Sequence, residues 1–311
     1  MAKIAILGAT GEIGRSLAPL VAGDKQHSLI LYARRSEDLL KDLGGSSANR
    51  TAVRSLDDFG TESVDQIINC VGAADPREVR RLGRQLMRVT ETFDNRVLDY
   101  LEAESGAQYV FLSSGAVYGL KQPGPASSVT PATFPINEID ASSCYGVAKL
   151  NAETKHRAAK ERCIVDLRLF GFVSQNLNPN GDYLLSQAVR AILQRQPLAT
   201  KPTDIVRDYV HPQDLAQLIE RCRSHRPMNA SLDVFSKEPI TKFALLDALS
   251  SRFGLRWRIA DERVSSDAVE KLPHYYSHDR RAEEIGYRPR FSALEAVLDQ
   301  IGRFLEQSGY P

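Results

Sequence analysis

Cysteine is scarce in this sequence. Four are present, Cys70, Cys144, Cys163 and Cys222, and none forms a CxxC pair, so neither a disulfide framework nor a structural zinc site is suggested. An excess of either charge is missing too: 40 Lys and Arg face 39 Asp and Glu, for a net charge of +1. That balance gives no electrostatic reason to expect a nucleic acid or a membrane surface as partner. No apolar run approaches the roughly 20 residues that span a bilayer. The opening stretch KIAILG lacks the long apolar region and small-residue cleavage site of a signal peptide. These absences leave a soluble chain of a reducing compartment, expected in the cytoplasm, and 311 residues are enough to bury a large core.

What is present is alternation. Ala2–Leu7, Ser28–Tyr32, Val64–Val71, Ala107–Leu112 and Ile164–Phe170 read as short buried strands, separated by stretches of helical periodicity. Residues 78–103 place Val79, Leu82, Leu86, Val89, Phe93, Val97 and Leu101 at helical spacing, which predicts one long helix with a single apolar stripe. Arg77, Arg80, Arg81, Arg84 and Arg88 fall mostly on its other side and read as a solvated face. Strands alternating with helices predict an α/β fold, a Rossmann-type doubly wound parallel sheet covered on both faces. It would occupy residues 1–170 and be completed by a strand near 231–235. Residues 171–311 predict a smaller, mixed α/β substrate domain with helices near 182–195, 213–223, 241–253 and 292–307. The Pro-, Ser- and Thr-rich stretch between Gly119 and Cys144 is a loop of functional length.

The stretch KIAILGATGEIGRSL sets Gly8, Gly11 and Gly14 between the first strand and the first helix. A diphosphate can approach such a backbone closely and meet the N–H groups and positive dipole of the helix N-terminus. The expected dinucleotide contacts are Gly8, Thr10, Gly11, Glu12, Ile13 and Gly14. Where NAD-preferring folds carry an acidic residue at the end of the second strand, LILYARRSED has Tyr32, followed by Arg34 and Arg35. Two guanidiniums can clamp a ribose 2′-phosphate, so NADP(H) is the expected cofactor, with NAD the alternative.

In SSCYGVAKLNAE, Tyr145 and Lys149 lie four residues apart and share one helix face. About 30 residues earlier, YVFLSSGAVYG ends a strand with Ser113 and Ser114. Together with the GxxGxxG spacing, these motifs resemble the extended short-chain dehydrogenase/reductases, the NAD-dependent epimerase/dehydratase family. There a Ser-Ser or Ser-Thr strand end runs into Val-Tyr-Gly, here Val117, Tyr118 and Gly119. A Tyr-x-x-x-Lys helix follows with Glu four residues on, here Glu153. The chemistry fits the residue types. Hydride transfer at a carbinol carbon needs a proton to move at its oxygen, a task for Tyr145, with Ser114 donating to the developing oxyanion. A neighbouring ammonium favours the phenolate. The resemblance implies that Lys149 tunes Tyr145 and also holds the nicotinamide ribose.

The resemblance continues along nearly the whole chain. RDYVHPQDLAQLI is similar to a segment in which an Arg, here Arg207, binds the nucleotide diphosphate and an Asp, here Asp214, caps a helix; His211 between them is expected to be structural. DRRAEEIGYRPRFSALEAVL is similar to the family's C-terminal signature, which makes Arg280 a candidate second phosphate contact. At the third strand's end Ser55 stands where the family has an adenine-contacting Asp, with Leu56 next to it as a candidate contact. Gly171 replaces a substrate-contacting Asn, and Asn176, Asn178 and Asn180 follow. Gly115 and Ala116 occupy the places where 4,6-dehydratases carry Asp-Glu, which argues against dehydration. The expectation is a NAD(P)(H)-dependent ketoreductase acting on a nucleotide-activated sugar, with no metal and a homodimer implied by the family. A nucleotide-sugar epimerase is the alternative, and a non-catalytic dinucleotide-binding sensor or scaffold is the rival of another class.

Overall fold

The computed structural model describes residues 1–34, 39, 49–72, 75–83, 85–119, 124–260 and 272–310. The first half alternates as expected: β1 (Ala2–Leu7), α1 (Glu12–Gly23), β2 (His27–Ala33), β3 (Thr51–Ser55), β4 (Gln66–Asn69), α2 (Pro76–Leu82), α3 (Gln85–Ala103), β5 (Gln108–Ser114), α4 (Ala141–Ala158) and β6 (Ile164–Leu169). Then follow α5 (Leu184–Gln194), β7 (Leu198–Thr200), β8 (Val206–Arg207), α6 (Pro212–Ser224), β9 (Ala230–Val234), β10 (Ile240–Thr241), α7 (Lys242–Phe253), β11 (Trp257–Ile259), β12 (His274–Tyr275) and α8 (Ala293–Gln307).

Seven strands form one parallel sheet in the order β3-β2-β1-β4-β5-β6-β9. Strands so apolar need cover on both faces, and two clusters supply it. Leu17, Leu31, Leu167 and Leu218 pack on one side, and Ile30, Tyr32, Ile67, Phe111 and Ile164 on the other. The chain order reverses between β1 and β4, so the connections leaving their carboxyl ends part and open a crevice. This is the doubly wound, Rossmann-type architecture.

The helix expected over residues 78–103 is two helices. Gly83 adopts φ +50°, its N–H closing α2 on the Val79 carbonyl, and α3 starts afresh at Gln85. The apolar spacing runs through the break because Val79 and Leu86 both bury, so periodicity alone could not reveal it. A third cluster joins α5, α7 and α8 through Leu185, Val189, Leu246, Val297 and Ile301. Two small sheets complete this half, β10-β8-β12 and β11-β7. Their strands have two or three residues, too few to show any alternation in sequence. No helix among the described residues is long and apolar enough to cross a membrane.

Candidate active site

The glycine loop sits at the carboxyl end of β1. Gly8 takes φ +74°, and a Cβ there would lie 3.0 Å from the Cys70 carbonyl carbon. A Cβ on Gly14 would lie 2.6 Å from the Gly8 oxygen and 2.8 Å from the Ala9 Cα, so only glycine lets α1 start this close to the turn. The loop backbone is therefore bare, with Thr10 and Gly11 exposed, and its fit to a dinucleotide diphosphate is good. Glu12 is different. Its carboxylate accepts hydrogen bonds from the Ser174 hydroxyl (3.1 Å) and N–H. Burial, helped by Asp75, raises it from 4.5 to about 7 even against those bonds.

β5 carries Ser113 and Ser114 to the same crevice, and as neighbours on a strand they face opposite ways. Ser113 donates to Glu153 Oε1 at 2.5 Å, which also receives the Arg168 guanidinium. Ser114 turns to the other side, where its Oγ accepts from the Ala116 N–H at 3.2 Å and stands near enough to Tyr145 to favour its phenolate as a hydrogen-bonding neighbour. α4 supplies Tyr145. The Asp140 carboxylate caps that helix by accepting from the Ser143 N–H at 2.7 Å, and Gly146 lets it press onto the turn after β5, since a Cβ there would strike the Ala116 carbonyl. Burial raises Tyr145, and the Ser114 hydrogen bond pulls it back.

Lys149 is buried one helical turn below. Its ammonium donates to the Leu112 carbonyl at 2.7 Å and lies 4.3 Å above the Phe111 ring but 6.0 Å from the centre of the Tyr145 ring. Desolvation lowers it to about 8, against the pull of Asp94, Cys70 and Glu153. The structure thus brings Ser114, Tyr145 and Lys149 together, with Ser114 as the direct partner of the phenol and the ammonium turned to backbone.

Two tyrosines that the sequence did not single out join them. Tyr275 of β12 is buried with its hydroxyl 3.2 Å from Ser114 Oγ and its ring 5.2 Å from Phe170. Tyr183, capping α5, lies within electrostatic reach of Tyr145, Tyr275, Asp75 and Glu12. The stretch HYYSHD is unusually aromatic, but only the β8–β12 pairing shows which ring reaches β5. Among the described residues no cluster of His, Cys, Asp or Glu could hold a metal ion.

This arrangement can be set beside known proteins. The family described as NAD dependent epimerase/dehydratase matches residues 4–230. The chain belongs to that family. No curated protein sequence matches it. Among solved structures it is similar to a UDP-N-acetylglucosamine 4-epimerase from Methanobrevibacter ruminantium M1 in complex with UDP-N-acetylmuramic acid, at TM-score 0.84 and 15% identity over 98% of this chain and 99% of that one. A UDP-glucose-4-epimerase from Stenotrophomonas maltophila with bound NAD and formylated UDP-arabinopyranose aligns over the full length of both chains at TM-score 0.82 and 16% identity. A dTDP-glucose 4,6-dehydratase from Bacillus anthracis str. Ames in complex with NAD gives 0.79 and 12%, over 100% of this chain and 98% of that one. Identities this low speak for the fold.

Within the epimerase/dehydratase family this chain departs in ways the structure accounts for. Tyr32 does not reach the crevice: its ring is in the core, 5.4 Å from Phe59. Leu56 belongs to the same cluster. Arg34 is exposed at the end of β2, and Arg35 lies outside the described residues. Gly171 is required, because any Cβ would run into the Asp208 carbonyl. Asn176 is tied to Ser16 Oγ at 3.0 Å, while Asn178 holds its own turn by accepting from the Asn180 N–H. Arg207 is buried, donating to the carbonyls of Val206 and Leu272 with its guanidinium 5.9 Å from the Tyr275 ring. Arg280 is laid over Phe235 at 4.0 Å and donates to the Ser277 carbonyl. Asp214 is not a helix cap. His211 takes that place, its Nδ1 accepting from the Gln213 N–H and its ring stacked 3.9 Å from Phe291, while Asp214 accepts from the N–H groups of Arg290 and Phe291.

Proposed function

We propose that the protein is a nucleotide-sugar 4-epimerase that uses a tightly held NAD and returns it unchanged after each turnover. The observation that carries this reading is the Ser114 hydroxyl set against Tyr145 with Lys149 buried behind them, at the crevice of a glycine loop built for a dinucleotide. A bound nicotinamide dinucleotide supplies the hydride acceptor and donor. Tyr145 takes the proton of the sugar hydroxyl as the carbon is oxidised, and gives it back when the keto group is reduced from its other face. Ser114 donates to that oxygen in both half-reactions, when it carries most negative charge. Gly115 and Ala116 offer neither acid nor base for eliminating water, which separates this site from dehydration.

The sequence favours net reduction on the strength of two arginines, and that argument weakens here. Arg34 is exposed and Arg35 lies outside the described residues, so a pair of guanidiniums aimed at one phosphate is not among what the described residues offer in its support. The similar folds that carry NAD and UDP-sugars support the epimerase alternative and NAD. Arg207, one ring from Ser114, is the residue we assign to the substrate diphosphate, and a homodimer is part of the same proposal.

The test is to incubate the purified protein with UDP-glucose or UDP-N-acetylglucosamine and catalytic NAD and to follow the sugar by proton NMR. The C4 epimer is expected without net NADH formation. Stoichiometric NADPH consumption on a 4-keto sugar nucleotide would make it a reductase, and loss of the C6 oxygen a dehydratase. Tyr145→Phe is expected to abolish turnover with NAD affinity intact; full activity in that variant would sink the assignment.

A further inference from the structure

Ser114 Oγ has one proton and two lone pairs to distribute. Three groups surround it: the Ala116 N–H, the Tyr275 hydroxyl at 3.2 Å and the Tyr145 hydroxyl. The Ala116 N–H can only donate, so it fills one lone pair. One lone pair and one proton are left for the two tyrosines, and they can be shared in two ways. If Ser114 donates to Tyr275, its proton points away from the reacting oxygen. If Tyr275 donates to Ser114, both lone pairs are filled and the serine proton is committed to Tyr145. Once Tyr145 is a phenolate it has no proton to give, and only the second arrangement survives.

We propose that Tyr275 is a positioning residue of this site: its hydroxyl donates to Ser114 Oγ and thereby commits the Ser114 proton to the Tyr145 oxygen, or to the substrate oxygen that meets it. The residue is suited to the task. Its ring is wedged against Phe170, and burial holds the phenol above the ordinary tyrosine value, so it remains a neutral donor while Tyr145 titrates. Linked donors of this kind reinforce one another in a low dielectric.

The placement of Tyr275 also ties the chemistry to the C-terminal half of the chain. β12 and β8 are in parallel register with Tyr275 beside Arg207, so the residue that aims Ser114 sits on the strand paired with the one that carries the proposed diphosphate ligand. That link to substrate rests on the function proposed above. The hydroxyl chain itself does not.

The test therefore needs no sugar. In the NAD-loaded protein, the ionisation of Tyr145 is read from tyrosinate absorbance, with Tyr145→Phe as the blank. In Tyr275→Phe the apparent pKa of Tyr145 is expected to rise by about one unit, the size of one lost charge-assisted hydrogen bond. Ser114→Ala is expected to raise it as well, and the double variant to add nothing to Ser114→Ala alone, because Tyr275 acts only through that serine. Tyr275→His, which keeps a ring N–H donor, is expected to recover part of the shift, and Tyr275→Met, which like Phe has no donor, serves in place of Tyr275→Phe if that variant does not fold. An unchanged pKa in Tyr275→Phe, or shifts that add in the double variant, would overturn the proposal. With a sugar in hand, kcat is expected to fall roughly tenfold at unchanged KM; a raised KM at unchanged kcat would make Tyr275 a substrate ligand instead. If no UDP-sugar is turned over by the native protein, the proposed function fails while the titration still decides the role of Tyr275.

Discussion

Glu12 works against a diphosphate loop when charged, because an ionised carboxylate there repels the ligand that the loop attracts. Burial keeps it protonated up to about pH 7, above the ordinary 4.5. The folded protein thus binds this proton more tightly than the unfolded chain, and stability falls as pH rises from about 4.5 through 7. Cofactor affinity follows the same sign. NAD dissociation constants are expected to grow roughly 3- to 10-fold between pH 6 and 8, and Glu12→Gln to flatten that slope. Calorimetric titration across the range checks it, and equal slopes for the two proteins would remove Glu12 from the account. The sequence placed Glu12 in the loop but gave no sign of its environment, since Ser174 and Asp75 reach it from distant segments. Ser114, Tyr145 and Lys149 were legible for the opposite reason: a strand end and an i, i+4 spacing fix them locally.

On α4, every fourth residue or so has an inward task. Beyond Tyr145, Lys149 and Glu153 lies His156, fully buried, with Nδ1 2.6 Å from Asp166 and Nε2 2.7 Å from Asp94. Desolvation alone would discharge the ring, but two carboxylates outweigh it and raise it from 6.5 to about 9. The imidazolium can donate to both carboxylates at once. Asp94 also accepts from the Tyr109 hydroxyl, which in turn receives the Asn69 amide at the tip of β4, so α3, α4, β4, β5 and β6 share one network. With the folded value raised, the stabilisation is fully present below pH 6.5 and is lost as pH rises through about 9. His156→Gln removes one of two cationic partners from each carboxylate, Lys155 staying on Asp94 and Arg157 on Asp166, and is expected to cost about 1–3 kcal/mol near neutral pH. The gap between native and variant denaturation curves should narrow from pH 7 to 10, and a gap independent of pH would mean a neutral histidine. Nothing in the sequence marks His156. Its partners come from α3 and β6, and the seven-strand order that collects them is a property of the fold rather than of any motif.

At the scale of the molecule, two sets of contacts close the crevice. One is the hydroxyl chain from β12 to β5, with Asp233 of β9 accepting from Tyr118 and Ser277 nearby. The other spans the carboxyl ends of β1 and β4, where the turn at residues 178–182 is strapped to the start of α2. The Asp182 N–H donates to Asp75 at 3.0 Å, Arg77 reaches the Asn180 carbonyl at 3.2 Å, and Arg80 pairs with the Asp182 carboxylate. The sequence announced the turn in NLNPNGD but could not say what it touches, because its partners stand about 100 residues earlier. Asp75 of this strap is within electrostatic reach of both Glu12 and Tyr183. Gly181 makes the strap possible: a Cβ there would strike the Asp75 carboxylate and lie 2.9 Å from Ser186 Oγ. Gly181→Ala changes no charge and removes no hydrogen-bonding group, yet it must push Asp75 off the turn. Overpacking of this kind costs about 1–3 kcal/mol. If the strap retains the cofactor, release of bound NADH should accelerate several-fold in Gly181→Ala, followed by loss of its fluorescence on dilution into excess NAD. The chemical step should change little, since Ser114 and Tyr145 are untouched. A variant that melts earlier but releases NADH at the native rate would show that the strap braces the fold and does not guard the crevice.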